Sequence, residues 1–148
     1  MSGRLAVAAF MAVAFTSTPP ALADAVLDGI AGMPGGVEDV RIGGTWQQGG
    51  KSGAYRIVIA RTGGDAITAR LFVQWVAYGE AGDTTVENTI EIAEFATLSL
   101  DIVDYVSESD ADGLSVFLET IDPEGSADQQ YELHLFAPDD YRFGPATN

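Results

Sequence analysis

Cysteine is absent from the sequence, and histidine occurs once, at His134. Without cysteine the chain has no disulfide bond and no thiol nucleophile, so its stability must come from packing. Lysine and arginine number 7 against 22 acidic residues, which gives a formal charge of −15. So few cations exclude a nucleic-acid-binding protein, because phosphate contacts need clustered Lys and Arg. They also argue against an anionic membrane surface as a partner.

The first 23 residues have the three parts of a secretory signal peptide. Arg4 supplies a short positive region, residues 5–15 form an unbroken apolar run, and Ala21-Leu22-Ala23 ends a polar segment with the small-x-small pattern of a cleavage site. The apolar run is too short to anchor the chain in a bilayer. We therefore predict cleavage after Ala23 and a periplasmic or secreted mature protein that does not insert into a membrane. Because Arg4 is the only charged residue removed, the mature chain is still more acidic.

Residues 54–78 are the most regular part of the chain. Apolar residues recur at every second position on both sides of Thr62-Gly63-Gly64-Asp65, a pattern typical of a β-hairpin with one buried face. Only an odd-length loop keeps the apolar residues of both strands on one face, because a one-residue slip exchanges the faces. We predict a three-residue loop with a left-handed glycine, which sets Ile57 opposite Ala69.

The rest of the mature chain continues in the same way. No sustained 3.6-residue period is present, and further strand candidates cover residues 37–42, 86–95, 96–106, 114–121 and 131–136. A bend or bulge near residues 93–97 lets one long run serve two strands. We predict an all-β fold, a small antiparallel sandwich or barrel of roughly seven to eight strands in a single domain, residues 24–148. Residues 24–36 are expected to form a loose leader or short helical turn, and residues 137–148 a polar tail.

The segment Gly44-Thr45-Trp46 resembles the Gly-x-Trp on the first strand of lipocalins and avidins. In those families the tryptophan closes the base of a barrel. The resemblance covers three residues, and the chain is similar also in being small and β-rich. It implies a barrel carrying a small apolar ligand, with a cavity lined by residues such as Trp46, Tyr55 and Trp75.

An acidic stretch has the spacing of a calcium loop. Five residues occupy positions one, three, five, six and twelve of the twelve-residue EF-hand pattern: Glu108, Asp110, Asp112, Gly113 and Glu119. The glycine allows a sharp turn and the carboxylates supply hard oxygen ligands. The flanking segments are predicted strands rather than helices, however, so a solvated hairpin turn is the alternative. We keep Glu108, Asp110, Asp112 and Glu119 as candidate calcium ligands.

His134 shares one strand face with Glu132 and Phe136 because of the alternation of the last strand. A Glu–His pair is capable of acid–base chemistry. No serine is placed beside it by the sequence pattern, and a metal site needs further imidazoles. We therefore predict no catalytic residue and no enzymatic activity.

The second face of the strand at residues 68–78 is less polar than a solvent-facing side. It carries Arg70, Phe72, Gln74, Val76 and Tyr78, a mixture of aromatic, amide and guanidinium groups that is typical of recognition surfaces. The alternative is a central strand covered on both sides, with Phe72 and Val76 in a core. We keep Arg70, Phe72, Gln74 and Tyr78 as candidate partner-binding residues.

Together these observations predict an exported, non-catalytic binding protein whose partner is a basic protein or another cationic molecule, as for an inhibitor or accessory factor. A barrel for a small apolar ligand and a calcium-dependent adhesion or assembly module are the alternatives.

The signal peptide generates a direct prediction. Cleavage after the small-x-small segment should give exported protein that begins Asp-Ala-Val-Leu, starting at Asp24. N-terminal sequencing of the protein recovered outside the cytoplasm measures this. Exported protein that retains Met1 would contradict it.

Overall fold

The computed structural model describes residues 22–125 and 128–147, and the chain divides into two units, residues 1–33 and 34–148. The described part of the first unit contains helix α1 (Leu22–Ala31), with Val26, Leu27 and Ile30 exposed. The predicted leader is thus more helical than expected. The predicted cleavage point falls at the start of α1, and residues 1–21 of the predicted signal peptide lie outside the described residues. No helix in the described segments has the length and apolar character needed to cross a membrane.

The second unit is an all-β sandwich of two four-stranded antiparallel sheets. Its strands are β1 (Val37–Gln48), β2 (Lys51–Thr62), β3 (Thr68–Tyr78), β4 (Thr84–Glu91), β5 (Asp101–Ser109), β6 (Leu114–Ile121), β7 (Gln129–Ala137) and β8 (Asp140–Pro145). One sheet has the order β1-β2-β3-β4 and the other β5-β6-β7-β8, so each is a meander of consecutive strands. The predicted all-β class and strand number are confirmed. Of the two predicted architectures the sandwich is the one formed, because the sheets remain separate.

The β2–β3 hairpin confirms the predicted faces but not the predicted loop. Tyr55 lies opposite Trp75, Ile57 opposite Val73 and Ile59 opposite Leu71, and all six side chains are buried. The loop has an odd number of residues, as required, but it spans residues 63–67, because Thr62 pairs with Thr68 and closes the hairpin. The three-residue loop is therefore wrong, and Gly63 and Gly64 are not left-handed.

The core lies between the two inner faces. The larger side chains that are fully buried there are Tyr55, Ile57, Leu71, Val73, Trp75, Ile92, Phe95, Val116, Leu118, Leu133 and Leu135. The alternation of β6, a predicted strand, sends Leu114, Val116 and Leu118 inward. Burial of about 1.5–3 kcal/mol per large apolar side chain makes this layer the main stabilising element of a chain without disulfides.

The chain crosses from one sheet to the other through a short helix, α2 (Ala93–Ala96). We predicted a bend or bulge here, and the structure instead forms one helical turn that buries Phe95. Two backbone hydrogen bonds fix the crossing: Ile92 N donates to the Leu71 carbonyl at 2.9 Å, and Ala69 N to the Leu100 carbonyl at 2.8 Å. Both hydrogen bonds join the crossover to strand β3, on which Leu71 and Ala69 lie. The β2–β3 hairpin therefore also positions the start of the second sheet.

Two terminal strands differ from prediction. The segment at residues 137–148 contains β8, and its alternate residues Tyr141 and Phe143 pack against the core. The predicted tail is thus mostly a strand, because aromatic burial outweighs the polar composition. Strand β1 does not end at residue 42 but continues through a bulge, at which Gly44 has a φ of +63°.

The bulge in β1 accounts for the Gly-x-Trp segment. A side chain at Gly44 would bring its Cβ within 3.0 Å of Leu114 Cβ, so only glycine fits. Trp46 is buried, and its Nε1 donates to the Ala54 carbonyl at 3.1 Å. The barrel implied by the resemblance to lipocalins and avidins is wrong, since the strands form two separate sheets and this tryptophan belongs to the core of the sandwich.

The buried position of Trp75 generates a stability prediction. Trp75→Ala should lower the free energy of unfolding by about 3–5 kcal/mol, because it leaves a large cavity between the sheets. Tyr78→Ala on the same strand removes an exposed ring and should cost less than about 1 kcal/mol. Denaturant unfolding followed by circular dichroism compares the two variants. Equal losses would show that the buried face does not control stability.

Candidate functional site

The outer face of the first sheet carries the residues that we predicted to bind a partner, and we call it face A. Arg70, Phe72, Gln74 and Tyr78 all point outward from β3, with Arg70 and Tyr78 exposed and the other two half-buried. The outer side of β3 is open at Arg70 and Tyr78 but covered at Val76, so the alternative of a strand covered on both sides holds for part of its length. Whether they bind a partner stays a prediction.

The polar side chains of face A are held in a cross-strand network. Arg70 donates through Nε and Nη2 to the two carboxylate oxygens of Glu91, both at 2.7 Å, and its guanidinium lies 4.8 Å from the centre of the Phe72 ring. The hydrogen bond from Arg70 lowers the pKa of Glu91. Arg56 Nε donates to Gln74 Oε1 at 2.7 Å, and Gln74 Nε2 donates to Thr89 Oγ1 at 3.0 Å. Bidentate and chained hydrogen bonds of this kind order the side chains before any partner arrives.

The apolar part of face A was not predicted. Val40 and Ile42 on β1 are exposed beside Val58, and Val86 on β4 is exposed beside the buried Val76. Among the described residues of face A, the charged groups are Arg56, Arg70 and Glu91. Face A is therefore largely apolar and locally positive, although the chain as a whole is strongly acidic.

The inner side of β1 explains why its apolar residues point outward. Asp39 and Arg41 face the second sheet, where the Arg41 guanidinium lies 4.1 Å from the centre of the Tyr105 ring and donates to the Tyr105 carbonyl. Burial, with a further contribution from the charge of Asp39, raises the pKa of Tyr105 to about 12. Arg61 completes this seam with ion pairs to Glu38 and Asp101 at 2.8 and 2.9 Å.

The outer face of the second sheet, which we call face B, has an aromatic centre. The ring of His134 meets Phe117 edge-on at 6.4 Å between centroids and stacks on Phe136 at 6.3 Å. Val106 lies opposite Phe117 on the neighbouring strand and is exposed, as are both phenylalanines. Aromatic pairs in these geometries attract each other beyond the area that they bury. The centre of face B is thus a preformed apolar ridge.

Carboxylates surround this ridge. Four of them share face B, namely Asp104, Glu108, Glu119 and Glu132, and two more stand in the adjoining β5–β6 turn, Asp110 and Asp112. Depressions of about 300 and 230 Å³ flank the ridge, the first beside Val106 and Phe117 and the second beside His134 and Phe136. Arg142 lies opposite His134 on β8 and is exposed. Face B is therefore aromatic and acidic, the reverse of face A in charge.

The structure also brings a serine to His134, which the sequence pattern did not predict. Ser115 and His134 lie opposite each other on β6 and β7, and Ser115 Oγ is 2.9 Å from His134 Nδ1. Glu132 Oε1 is 3.6 Å from His134 Nε2. Burial raises the pKa of Glu132, but the hydrogen bonds from Thr147 and the nearby His134 outweigh this effect and lower it.

This Ser–His–Glu set has the residue types of a nucleophilic triad but not its full geometry. The Glu132–His134 separation exceeds a hydrogen bond, and β6 is paired on both sides, so the backbone N–H groups around Ser115 are engaged in the sheet. Stabilisation of an oxyanion by free backbone donors is usually a large part of such catalysis. The arrangement orients the imidazole within the aromatic ridge, and the absence of enzymatic activity stays a prediction.

The four candidate calcium ligands are not brought together. Asp110 and Asp112 stand in the turn, while Glu119 lies opposite Asp104 and Gln130 on β6, five residues along an extended strand. At about 3.3 Å per residue that distance is beyond the reach of one ion. Within residues 22–125 and 128–147, no three Asp, Glu or His side chains are grouped to hold a metal ion. The structure therefore does not form the EF-hand arrangement, because strands flank the turn, and whether the turn binds calcium stays a prediction.

Asp110 has a structural role in the β5–β6 turn. Asp110 Oδ1 accepts hydrogen bonds from the backbone N–H groups of Asp112 and Gly113, at 2.8 and 3.1 Å. Asp110 N in turn donates to the Gly113 carbonyl. The carboxylate thus closes the β5–β6 hairpin, which is the function of aspartate in tight turns.

The residues expected to line a ligand cavity do not share one. Tyr55 and Trp75 are fully buried, and their Oη and Nε1 atoms have no hydrogen-bond partner in the structure. Trp46 lines an open depression of about 690 Å³ together with polar residues that include Lys51 and Asn88. Its lining is unsuited to a small apolar ligand.

No protein-family model, curated protein or solved structure matches this chain. The residues of faces A and B therefore carry the functional argument by themselves. The sequence pattern had placed Glu132, His134 and Phe136 on one side of β7, but the pairing of β6 with β7 was needed to add Ser115 and Phe117.

The turn generates a prediction that also tests calcium. Asp110→Ala should lower the free energy of unfolding by roughly 1 kcal/mol, because it removes two hydrogen bonds, whereas Asp112→Ala should cost less than about 0.5 kcal/mol. Calcium and magnesium at equal concentration should raise the Tm equally, since both only screen the acidic surface. A rise specific to calcium that Asp110→Asn with Asp112→Asn abolishes would restore the calcium site.

Proposed function

We propose that this chain is an exported, periplasmic or secreted, non-catalytic binding protein that binds a basic protein through face B. The observation that carries the proposal is the aromatic ridge of Phe117, His134 and Phe136 within a ring of carboxylates. Exposed aromatic clusters with a polar rim are typical of protein-binding surfaces.

The two parts of face B contribute differently to binding. The formal charge of −15 attracts cationic proteins over long range and raises the rate of encounter. Phe117 and Phe136 then serve as anchors, because their rings accept apolar contact and the cationic groups of Lys and Arg. The carboxylates Glu108, Glu119 and Glu132 fix the orientation of those cations.

Face B fits a basic partner better than face A does. Face A presents Arg56 and Arg70 with Glu91 as the one carboxylate among its described residues, and like charges brought together across an interface cost several kcal/mol. The partner-binding residues that we predicted on β3 are therefore not the anchors for this partner. The sequence-based partner is kept, but its binding site moves to the opposite face of the sandwich.

The experiment compares matched aromatic truncations. The wild-type chain is first used to capture proteins from the exported fraction. The dissociation rate of each captured protein is then measured with the wild type and with two variants. One is the double variant Phe117→Ala with Phe136→Ala on face B, and the other is the control Phe72→Ala on face A. We expect the face B variant to raise the dissociation rate of a basic partner by about tenfold or more, since buried aromatic anchors contribute 2 kcal/mol or more. The control should bind like the wild type.

Salt separates steering from anchoring in the same measurement. Raising the ionic strength from about 0.05 to 0.5 M should slow association strongly and change dissociation little. A partner that is not basic, or one whose dissociation responds only to Phe72→Ala, would contradict the proposal. Cleavage of the partner by the wild type but not by Ser115→Ala would contradict the non-catalytic part.

A further inference from the structure

The two outer faces of the sandwich complement each other. Across face A, Val40, Val58 and Phe72 form an apolar row, and the row beside it contains Ile42 and Arg56. On face B, Val106 and Phe117 form an apolar row next to one that begins with Glu108. Face A carries Arg56, Arg70 and Glu91, a formal charge of +1. Face B carries four carboxylates and Arg142, a formal charge of −3.

From this complementarity we infer that face A binds face B of a second copy of the chain, so that the sandwiches stack. This inference goes beyond the proposed partner, since it needs no other protein. Pairing face A with face A would join two faces of net charge +1, and pairing face B with face B would join two faces of net charge −3. The A-to-B contact is the one that joins faces of opposite net charge.

The size of the faces limits the strength of such a contact. The second sheet has four strands of six to nine residues, so face B covers roughly 400–550 Å². A standard protein–protein interface buries about 800 Å² on each partner, so the A-to-B contact is small and stacking should be weak and concentration-dependent. Sheets commonly pack face to face through interdigitated side chains, and the exposed Ile42, Val86 and Phe117 are available for this.

The overall charge sets the conditions under which stacking occurs. Two chains of charge −15 repel each other over long range, while the attraction between the faces is local. The Debye length falls from about 30 Å at 0.01 M salt to about 8 Å at 0.15 M, which removes the repulsion but leaves the close contacts. Stacking should therefore increase with salt over this range, opposite to the binding of a basic partner.

The symmetry of the contact gives a second signature. An A-to-B contact is heterologous, and a stack built from it does not close unless the rotation between copies returns to the start. The mass should therefore rise with concentration without stopping at two chains.

Charge reversal provides the experiment, with sedimentation of the purified full chain as the measurement. Arg56→Glu with Arg70→Glu makes both faces negative, and Glu108→Lys with Glu119→Lys makes both faces positive. Each variant alone should associate about a hundredfold more weakly than the wild type, because like charges meet. An equimolar mixture should associate again, since each face then finds an opposite charge.

Controls separate this result from general charge effects. Asp65→Lys with Glu124→Lys changes the charge by the same amount as Glu108→Lys with Glu119→Lys, but in loops outside both faces. It should leave stacking intact. Ile42→Glu tests face A without changing the arginines, and it should also weaken stacking. It replaces the double arginine variant where that variant does not fold. A wild type that stays monomeric at 0.15 M salt, a mass that stops at two chains, or a mixture that does not associate would overturn the inference.

Discussion

The pairing of Tyr55 with Trp75 is the contact on which the rest of the sandwich depends. It fixes the register of the two central strands of the first sheet, and with it the face on which every neighbouring residue lies. The rings meet edge-on at 6.2 Å and both are fully buried. Because side chains alternate along a strand, a slip of one residue would move this pair to the solvent and bring Arg56 and Gln74 into the core. Burial of two large aromatic rings makes that slip costly, so the composition of face A follows from the packing of the opposite face.

Strand β1 shows how a polar seam can determine an apolar surface. Arg41 stacks on Tyr105 and Arg61 bridges Glu38 and Asp101, so the edge between the two sheets is closed by ion pairs and a cation–π contact. Such exposed pairs each contribute little to stability. Their geometric consequence is larger, because alternation then sends Val40 and Ile42 outward. The apolar character of face A is therefore partly a result of how the sandwich closes along this edge, and it supplies the area that a protein contact needs.

The sequence predicted what depends on local alternation and missed what depends on pairing between distant segments. The buried faces of β2, β3 and β6 could be read directly, since period-two patterns determine them. The length of the β2–β3 loop depends on the pairing of Thr62 with Thr68. Alternation does not determine this pairing, because registers that differ by two residues place the same side chains on the buried face. β8 was missed because its strand character comes from packing of Tyr141 and Phe143 against a core formed elsewhere in the chain. The same limit applied to the site: Ser115 and Phe117 join His134 only through the β6–β7 register.

Faces A and B lie on opposite sides of one sandwich, so the two proposed contacts are linked through face B. A basic partner and face A of a second copy would occupy the same aromatic ridge, and the two cannot bind one face B together. Linkage then requires that each weakens the other by the same factor. Salt acts on them in opposite directions, because it screens attraction to a basic partner and repulsion between acidic chains alike. If both proposed contacts form, the ridge is free for the basic partner at low salt and is covered by stacking at higher salt. The competition follows from the uneven distribution of charge in one fold. Arg56 and Arg70 lie on face A, whereas four carboxylates lie on face B.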